Sequence, residues 1–398
     1  MSRRISVAFS NMVDPGWLAG GQYLYNLLFA LKESGVPIEA VLRVMPGTSP
    51  QSYAMLNGLF DRVFEFPLPL PAWAQKFPNV IKRHLTRFLS NEDREFTKNR
   101  IDAQFILLNP ERPLHTPTIG WIPDFQYLHF PDFFTEQELS FRAKNYPATA
   151  HNSTLVVLSS QYALNDLQRV APTAVGNARI LNFVAQVDPD IYKTDPELIA
   201  RYYHLPEKFF FLPNQFWQHK NHAVVLKALA LAKIKSPELT IVCSGGVYDH
   251  RKPEYFDNIL QQIATHGLQE NIHILGRIPR EHFWQLMRRA VAVLQPSLFE
   301  GWSTSVEEVK SLGKSIIISD IPVHREQDPA SALYFDPQNP VELAQNLLKT
   351  QKEKTPGPQL ELEQTAREKL RERTRAFALT FYEIVNEITQ GEKREKTD

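Results

Sequence analysis

The sequence predicts an α/β protein of the doubly wound kind, and three observations carry that prediction. Short apolar runs bounded by turn residues recur along the chain, and stretches with apolar residues at helical spacing alternate with them. The same alternation starts afresh after about residue 205. Strand and helix in regular alternation build a parallel sheet covered by helices. A chain of 398 residues is too long for a typical single core, so two domains are expected, with a boundary near residues 190–205.

Composition narrows the class further. Lys plus Arg and Asp plus Glu both number 44, giving zero formal charge. That argues against an extended nucleic-acid surface, which needs an excess of basic side chains. The single cysteine, Cys243, excludes an internal disulfide and a cysteine-built zinc site. It ends an apolar run and reads as a buried, inert thiol. The apolar run after Arg3 and Arg4 is too short for a signal segment, and no stretch approaches the roughly 20 apolar residues that span a bilayer. A cytoplasmic protein is expected.

In the first half, Ile5 to Phe9 reads as a buried strand and Leu24, Leu27, Leu28 and Leu31 as one face of a helix. Between them Asp14 to Gly21 reads as a glycine-bearing loop, in which Gly20 and Gly21 allow close approach of backbone to a ligand or serve a plain turn. It is neither GxGxxG nor GxxxxGK. Ile38 to Val44, Phe64 to Phe66, Phe105 to Leu108, Thr118 to Ile122 and Thr154 to Leu158 are further strands. Residues 76–89 form a basic amphipathic pattern, which fits a helix packed on its own sheet and also contact with an anionic membrane surface. Trp121 to Gln126 follows a strand end, so Asp124 and Gln126 can reach a cleft. His115 and His129 lack a second ligand at metal spacing and read as structural. Asp188-Pro189-Asp190 has the D-x-D pattern of metal-dependent sugar transferases, but stands in a link without further carboxylates nearby.

In the second half, Phe209 to Leu212 leads into Pro213 to His222, and Leu239 to Ser244 is closed by Gly245-Gly246. Ile272 to Leu275 precedes the turn Gly276-Arg277, Phe283 to Arg289 is a helix, and Ser315 to Ser319 a strand. The most informative stretch is Phe299 to Glu308, which follows the apolar run Ala292 to Leu294 and opens a helix. Glycine and hydroxyl residues at a helix start, where N–H groups are unpaired and the dipole is positive, suit a diphosphate. Carboxylates beside such a site repel phosphate, so Glu300 and Glu308 are expected to accept hydrogen bonds from sugar or ribose hydroxyls. A nucleotide-sugar pocket is the chemistry this pattern fits. Residues 360–388 form a long charged helix.

Glu300 and Glu308, within Ser297-Leu298-Phe299-Glu300-Gly301, resemble the E-x7-E signature of the GT-B glycosyltransferases of family 4, which are retaining and nucleotide-sugar dependent. Gly20-Gly21, Gln186-Val187-Asp188, Lys220 and Gly276-Arg277-Ile278 match further family features in the right order, so the resemblance spans nearly the whole chain. It also places Asp188 at the family's linker rather than in a metal motif.

The resemblance implies two Rossmann-like domains facing a central cleft, with the C-terminal helix crossing back. The domains would be residues 1–192 for the acceptor, 193–372 for the nucleotide-sugar donor, and 373–398 as helix and tail. Lys220 and the backbone around Ser303, Thr304 and Ser305 would hold the diphosphate, Glu308 the ribose, Glu300 the transferred sugar, and Gly276, Arg277 and Ile278 the base. Gly20, Gly21 and Gln215 would complete the donor site, and Asp124 would orient acceptor or sugar. No metal or other cofactor is implied. The donor would be a GDP- or UDP-sugar, with mannose favoured by analogy, and the acceptor a glycan or lipid-linked group of cell-surface polysaccharide synthesis.

Two departures stand out. Gln215 occupies the place of an arginine five residues before the family's lysine, leaving Lys220, or a stand-in such as Arg251 or Lys252, to neutralise the leaving group. Pro123 occupies the place of a histidine next to Asp124. A silent GT-B scaffold and a sugar-nucleotide epimerase are the alternatives, and the linker and Lys220 favour the transferase over the epimerase.

Overall fold

The structure, a computed structural model, describes residues 3–13, 18–45, 47–65, 92–108 and 115–395. The basic stretch 76–89 lies outside them, as do residues 14–17 of the expected glycine loop. The chain clusters into two compact units: residues 1–125, 140–184 and 373–398, and residues 126–139 with 185–372.

Among the described residues the first unit holds seven strands: β1 (Ile5–Ser10), β2 (Ile38–Val44), β3 (Arg62–Glu65), β4 (Ala103–Leu107), β5 (Thr118–Ile122), β6 (Leu155–Leu158) and β7 (Ala178–Ile180). They pair in the order β3-β2-β1-β4-β5-β6-β7, every pair parallel. Six of them fall within a residue or two of the runs that predict them. The edge strand β7 is too short to show a pattern of its own.

Aromatic rings fill the space over β1, β4 and β5. Tyr23 stacks on Trp121 with centroids 3.9 Å apart, and Phe381 lies 5.6 Å from Phe9 and 5.5 Å from Phe105. Phe381 belongs to the helix Leu360–Glu395, whose residues from Arg373 onward cluster with this unit. The terminal helix thus supplies part of the first unit's core.

The second unit contains β8 (Phe210–Leu212), β9 (Ile241–Cys243), β10 (Ile272–Ile274), β11 (Val293–Gln295), β12 (Ile316–Ser319) and β13 (Ala332–Phe335), in the parallel order β10-β9-β8-β11-β12-β13. Side chains alternate across this sheet as strand geometry requires. Phe210, Leu212, Ile241, Cys243 and Leu294 pack on one face with helices His222–Lys233 and Pro340–Glu353. Phe209, Phe211, Val242 and Val293 pack on the other, with helices Arg280–Arg289 and Thr304–Leu312. Both faces are therefore dry, which explains the nearly unbroken apolar runs in the sequence. Burial pushes the Cys243 thiol up to about 12, so it is the inert group expected.

The helix Glu136–Asn152 and the strand β13 are not evident in the sequence. The first is polar and carries Pro147 in its interior, which hides its helical signal. Among the described residues no helix is long and apolar enough to cross a membrane.

Phe381 is fully buried against β1 and β4. Phe381→Ala is expected to lower stability by about 3–5 kcal/mol, the usual cost of a cavity of this kind. Denaturant unfolding measures it, and a change below ~1 kcal/mol contradicts the core role given to the helix.

Candidate functional site

In both sheets the strand order reverses once, between β1 and β4 and between β8 and β11. Chain connections leave such a point in opposite directions, and a crevice opens outside the carboxyl ends of the two strands. In the second unit the loops leaving β8 and β11 carry Lys220 and Glu300.

Gln295, the last residue of β11, joins these loops. Its side chain is 0% exposed. Asn214, just past β8, donates from Nδ2 to Gln295 Oε1 at 2.6 Å. Gln295 Nε2 donates in turn to Glu300 Oε1 at 3.0 Å and to Ser303 Oγ at 2.7 Å. Ser297 Oγ adds a bond to Glu300 Oε1 at 2.7 Å, and Lys220 Nζ lies 2.6 Å from the same oxygen. Gln295, Ser297 and Lys220 all donate to the one oxygen Oε1, so Glu300 Oε2 keeps its lone pairs for another donor.

Lys220 ends a short 3-10 turn, Gln218–Lys220, and is followed by Asn221 in the left-handed region at φ 56°. Asparagine tolerates that conformation. Its Nδ2 donates to the carbonyls of Pro296 (3.1 Å) and Pro337 (2.9 Å), which ties this loop to the one after β11. His222 stacks on Phe216 at 4.1 Å, and burial pushes its pKa down to about 3, so it is neutral.

The helix Thr304–Leu312 starts at Ser303, whose hydroxyl makes no capping bond to it. Instead Gln327 grips the Ser303 backbone: Ser303 N donates to Gln327 Oε1 and Gln327 Nε2 donates to Ser303 O, both at 3.0 Å. The helix is held from outside while the N–H groups of its first turn lack intrahelical acceptors. His324, on the same short helix as Gln327, donates from Nδ1 to Ser319 O at 2.9 Å, and Ser319 Oγ donates to Ser297 O at 2.6 Å. Burial lowers the His324 pKa to about 4, so it acts as a neutral brace.

Glu308 is buried in the second turn of that helix, and burial raises its carboxyl above the usual range. Arg280 opposes this through an ion pair of 2.5 Å, Nη2 to Glu308 Oε1. Gly276 (φ +65°) turns the chain after β10, and its carbonyl accepts from Gly245 N at 2.8 Å. Gly245 itself stands at φ +145°, and a Cβ there would meet Asn214 O at 2.4 Å, so only glycine fits. Arg277 is exposed beside Gly246, and Ile278 packs on the cluster around Phe211.

The structure thus brings Lys220, Glu300, Ser303, Thr304 and Ser305 together at one switch point. Gln215 lies on the same loop as Lys220, and its side chain makes no hydrogen bond among the described residues. Two expectations need correction. Gly20 and Gly21 are not in a loop but inside the helix Leu18–Glu33, where an added Cβ on Gly21 would lie 3.4 Å from Val13 Cα and from Met55 Sδ. Arg251 does not stand in for the missing arginine. Its Nε donates to Glu138 at 2.9 Å, and its guanidinium sits 4.3 Å from the Phe134 ring and 5.2 Å from that of Trp217. Asp188 caps the turn Pro189–Lys193 by accepting from Asp190 N at 2.9 Å, and Asp190 pairs with Lys193, so this pair of acids is structural.

Asp124 belongs to the first unit, at the carboxyl end of β5, with Arg142 Nη1 3.5 Å from its Oδ1. Gln126 opens the short helix Gln126–His129, and the His129 ring lies 5.2 Å from that of Phe299. No group of three His, Cys, Asp or Glu side chains among the described residues is arranged to hold a metal ion. Gln295, Gln327 and Arg280 escape sequence reasoning. Only Gln295 carries a signal, as the polar residue that closes the buried run Val291 to Leu294.

Comparison with known proteins agrees with this geometry. Residues 202–375 match the family model described as glycosyl transferases group 1. The O-antigen chain mannosyltransferase RfbU of Salmonella typhimurium is 27% identical over 124 residues, which cover 31% of this chain and 33% of the relative. The match therefore spans about a third of that curated relative's length. A glycosyltransferase from Rickettsia africae superposes with a TM-score of 0.64 at 15% identity, covering 97% of this chain and 99% of that one. HepE of Anabaena, solved with UDP and glucose, gives 0.62 at 16% identity over 99% and 100%. WaaG, a glycosyltransferase involved in lipopolysaccharide biosynthesis, gives 0.58 at 15% over 96% and 98%. The stretch that resembles the glycosyl transferases group 1 model thus lies almost wholly in the second unit, and the fold of the chain is GT-B.

Proposed function

We propose that the protein moves a hexose from a nucleotide diphosphate sugar to a glycan or lipid-linked acceptor, with retention at the anomeric carbon and without a metal ion. The observation that carries this is the Lys220–Glu300 pair, fixed by Gln295 beside an uncapped helix start. As the donor's sugar–phosphate bond breaks, negative charge collects on the diphosphate. Preorganised cations and N–H dipoles lower that barrier most. Lys220 and the N–H groups of Thr304 and Ser305 are the donors available for it. Glu300 Oε2 accepts from a hydroxyl of the departing hexose, and Glu300 Oε1 keeps Lys220 in place.

Glu308 takes the ribose, and the backbone of Gly276, Arg277 and Ile278 takes the base. Gln215 contributes a neutral amide donor, so the leaving charge falls mainly on Lys220 and the helix end. In a same-face transfer the leaving phosphate removes the acceptor's proton, and Asp124 orients the acceptor. The mannosyltransferase relative supports a mannose-like hexose, the neighbours solved with UDP support a uridine donor, and GDP stands as the alternative by analogy alone. We assign the reaction to cell-surface polysaccharide synthesis in the cytoplasm, with residues 76–89 as the segment that meets the membrane. A scaffold without turnover is the second reading, favoured by Gln215.

Incubation with a panel of GDP- and UDP-sugars is expected to release nucleoside diphosphate with one of them. No release with any donor, with or without lysate acceptors, overturns the transferase. Lys220→Ala is expected to lower kcat by about 10²–10³, the scale of a lost transition-state donor, and full activity in that variant contradicts its role. Gln295→Leu leaves Asn214, Glu300 and Ser303 without their shared partner. It is expected to cost roughly 1–3 kcal/mol of stability together with most of the turnover, read by melting and by rate. Activity should also fall on the acid side at a pH above the ordinary glutamate range. The Glu308 carboxyl is raised by burial, so its accepting form is lost earlier as pH falls. A pH profile whose acid limb moves down in Glu308→Gln is the expected signature, and an unmoved limb refutes it.

A further inference from the structure

Arg280 joins the most deeply placed carboxylate of the site to its surface. The Glu308 side chain is 4% exposed and that of Arg280 is 41% exposed, with 2.5 Å between them. The guanidinium rests 4.5 Å from the Phe283 ring and 4.3 Å from the Trp284 ring, and Trp284 is buried. Such support holds the planar group in place and lowers the entropy lost when it takes a further partner. One contact to Glu308 leaves most of its five N–H donors unused.

Its place along the donor site is equally defined. Arg280 opens its helix directly after the turn Gly276 to Ile278, and Glu308 lies four residues into the helix Thr304–Leu312. At 1.5 Å per residue, Glu308 stands ~6 Å along the axis from the helix start, about the step from a diphosphate to the adjoining ribose. A lone carboxylate can only accept hydrogen bonds, whereas each hydroxyl of a diol both donates and accepts. A carboxylate with a fixed guanidinium beside it satisfies both roles.

We propose that Arg280 is a specificity-determining residue of the donor site: with Glu308 it forms a guanidinium–carboxylate pair that recognises the vicinal hydroxyls of the nucleotide ribose. The hydroxyls donate to Glu308, and the guanidinium donates to a hydroxyl oxygen. This rests on the donor-site function proposed above. Arg280 also opposes the rise that burial imposes on the Glu308 carboxyl, as the charged side chain that bears on it among the described residues.

Calorimetric binding of UDP and GDP, and of their 2′-deoxy and 3′-deoxy forms, to the full chain tests this. Wild type is expected to bind the deoxy forms about tenfold more weakly, the scale of one hydrogen bond. In Arg280→Ala, binding of the ribonucleotide falls at least about tenfold and the ribose-over-deoxyribose preference shrinks toward unity. The acid limit of binding moves to higher pH, because burial then acts on Glu308 unopposed. Arg280→Lys restores the acid limit by restoring charge, but not the full preference, which needs the planar donor fork. It also serves if Arg280→Ala melts below the assay temperature. An unchanged preference in these variants, or a wild type indifferent to deoxygenation, overturns this inference alone. A wild type that binds no nucleoside diphosphate overturns the donor-site function itself.

Discussion

The side-chain amide of Gln295 is the constraint on which the candidate site depends. It sits at the end of β11, fully buried, where β8 and β11 part company. Its oxygen accepts from Asn214, and its nitrogen donates to both Glu300 and Ser303. Each bond is worth only about 0.5–1.5 kcal/mol net. Their importance lies in direction, because a buried amide with all its partners in place has one orientation. The loop after β8, the Glu300 carboxylate and the start of the helix Thr304–Leu312 therefore inherit the rigidity of the sheet.

Gln215, where the resembled family has an arginine, gives the proposed donor site fewer cations. Arg251 would have been the natural substitute, yet Glu138 and two aromatic rings hold it. That ion pair, with hydrogen bonds from Thr135 and His250, holds the Glu138 carboxyl down at about 2. Lys252 makes no ion pair among the described residues and remains the flexible alternative. The fixed sources of positive potential at the proposed diphosphate position are then Lys220 and the helix end. A site built this way relies on geometry more than on accumulated charge, in keeping with the amide network that surrounds it.

Much of this was legible in the residues alone. The strands declare themselves as apolar runs because both faces of each sheet are buried, and Glu300 and Glu308 stand out by their place around a helix start, whereas Lys220 comes only from the family resemblance. What stays hidden depends on contacts between residues far apart in sequence. Gln327 grips Ser303 across two intervening elements, and Arg280 reaches Glu308 from a different helix. Local chemistry can also mislead. Gly20 and Gly21 read as a loop because glycine weakens helices, but both lie in the helix Leu18–Glu33, which at Gly21 comes into contact with Val13 and Met55. In Glu136–Asn152 the interior proline and polar surface mask a helix for the opposite reason.

The helix Leu360–Glu395 begins among the residues of the second unit and ends among those of the first, where Phe381 enters the aromatic core. A ribosome delivers the chain from one end, so the first sheet emerges long before the ring that completes its packing. Until the segment beyond Arg373 is made, the N-terminal unit waits with part of its core open, while the second unit can already close around β8 to β13. The order of maturation is thus the reverse of the order of synthesis, and the interval is one in which exposed apolar surface calls for protection.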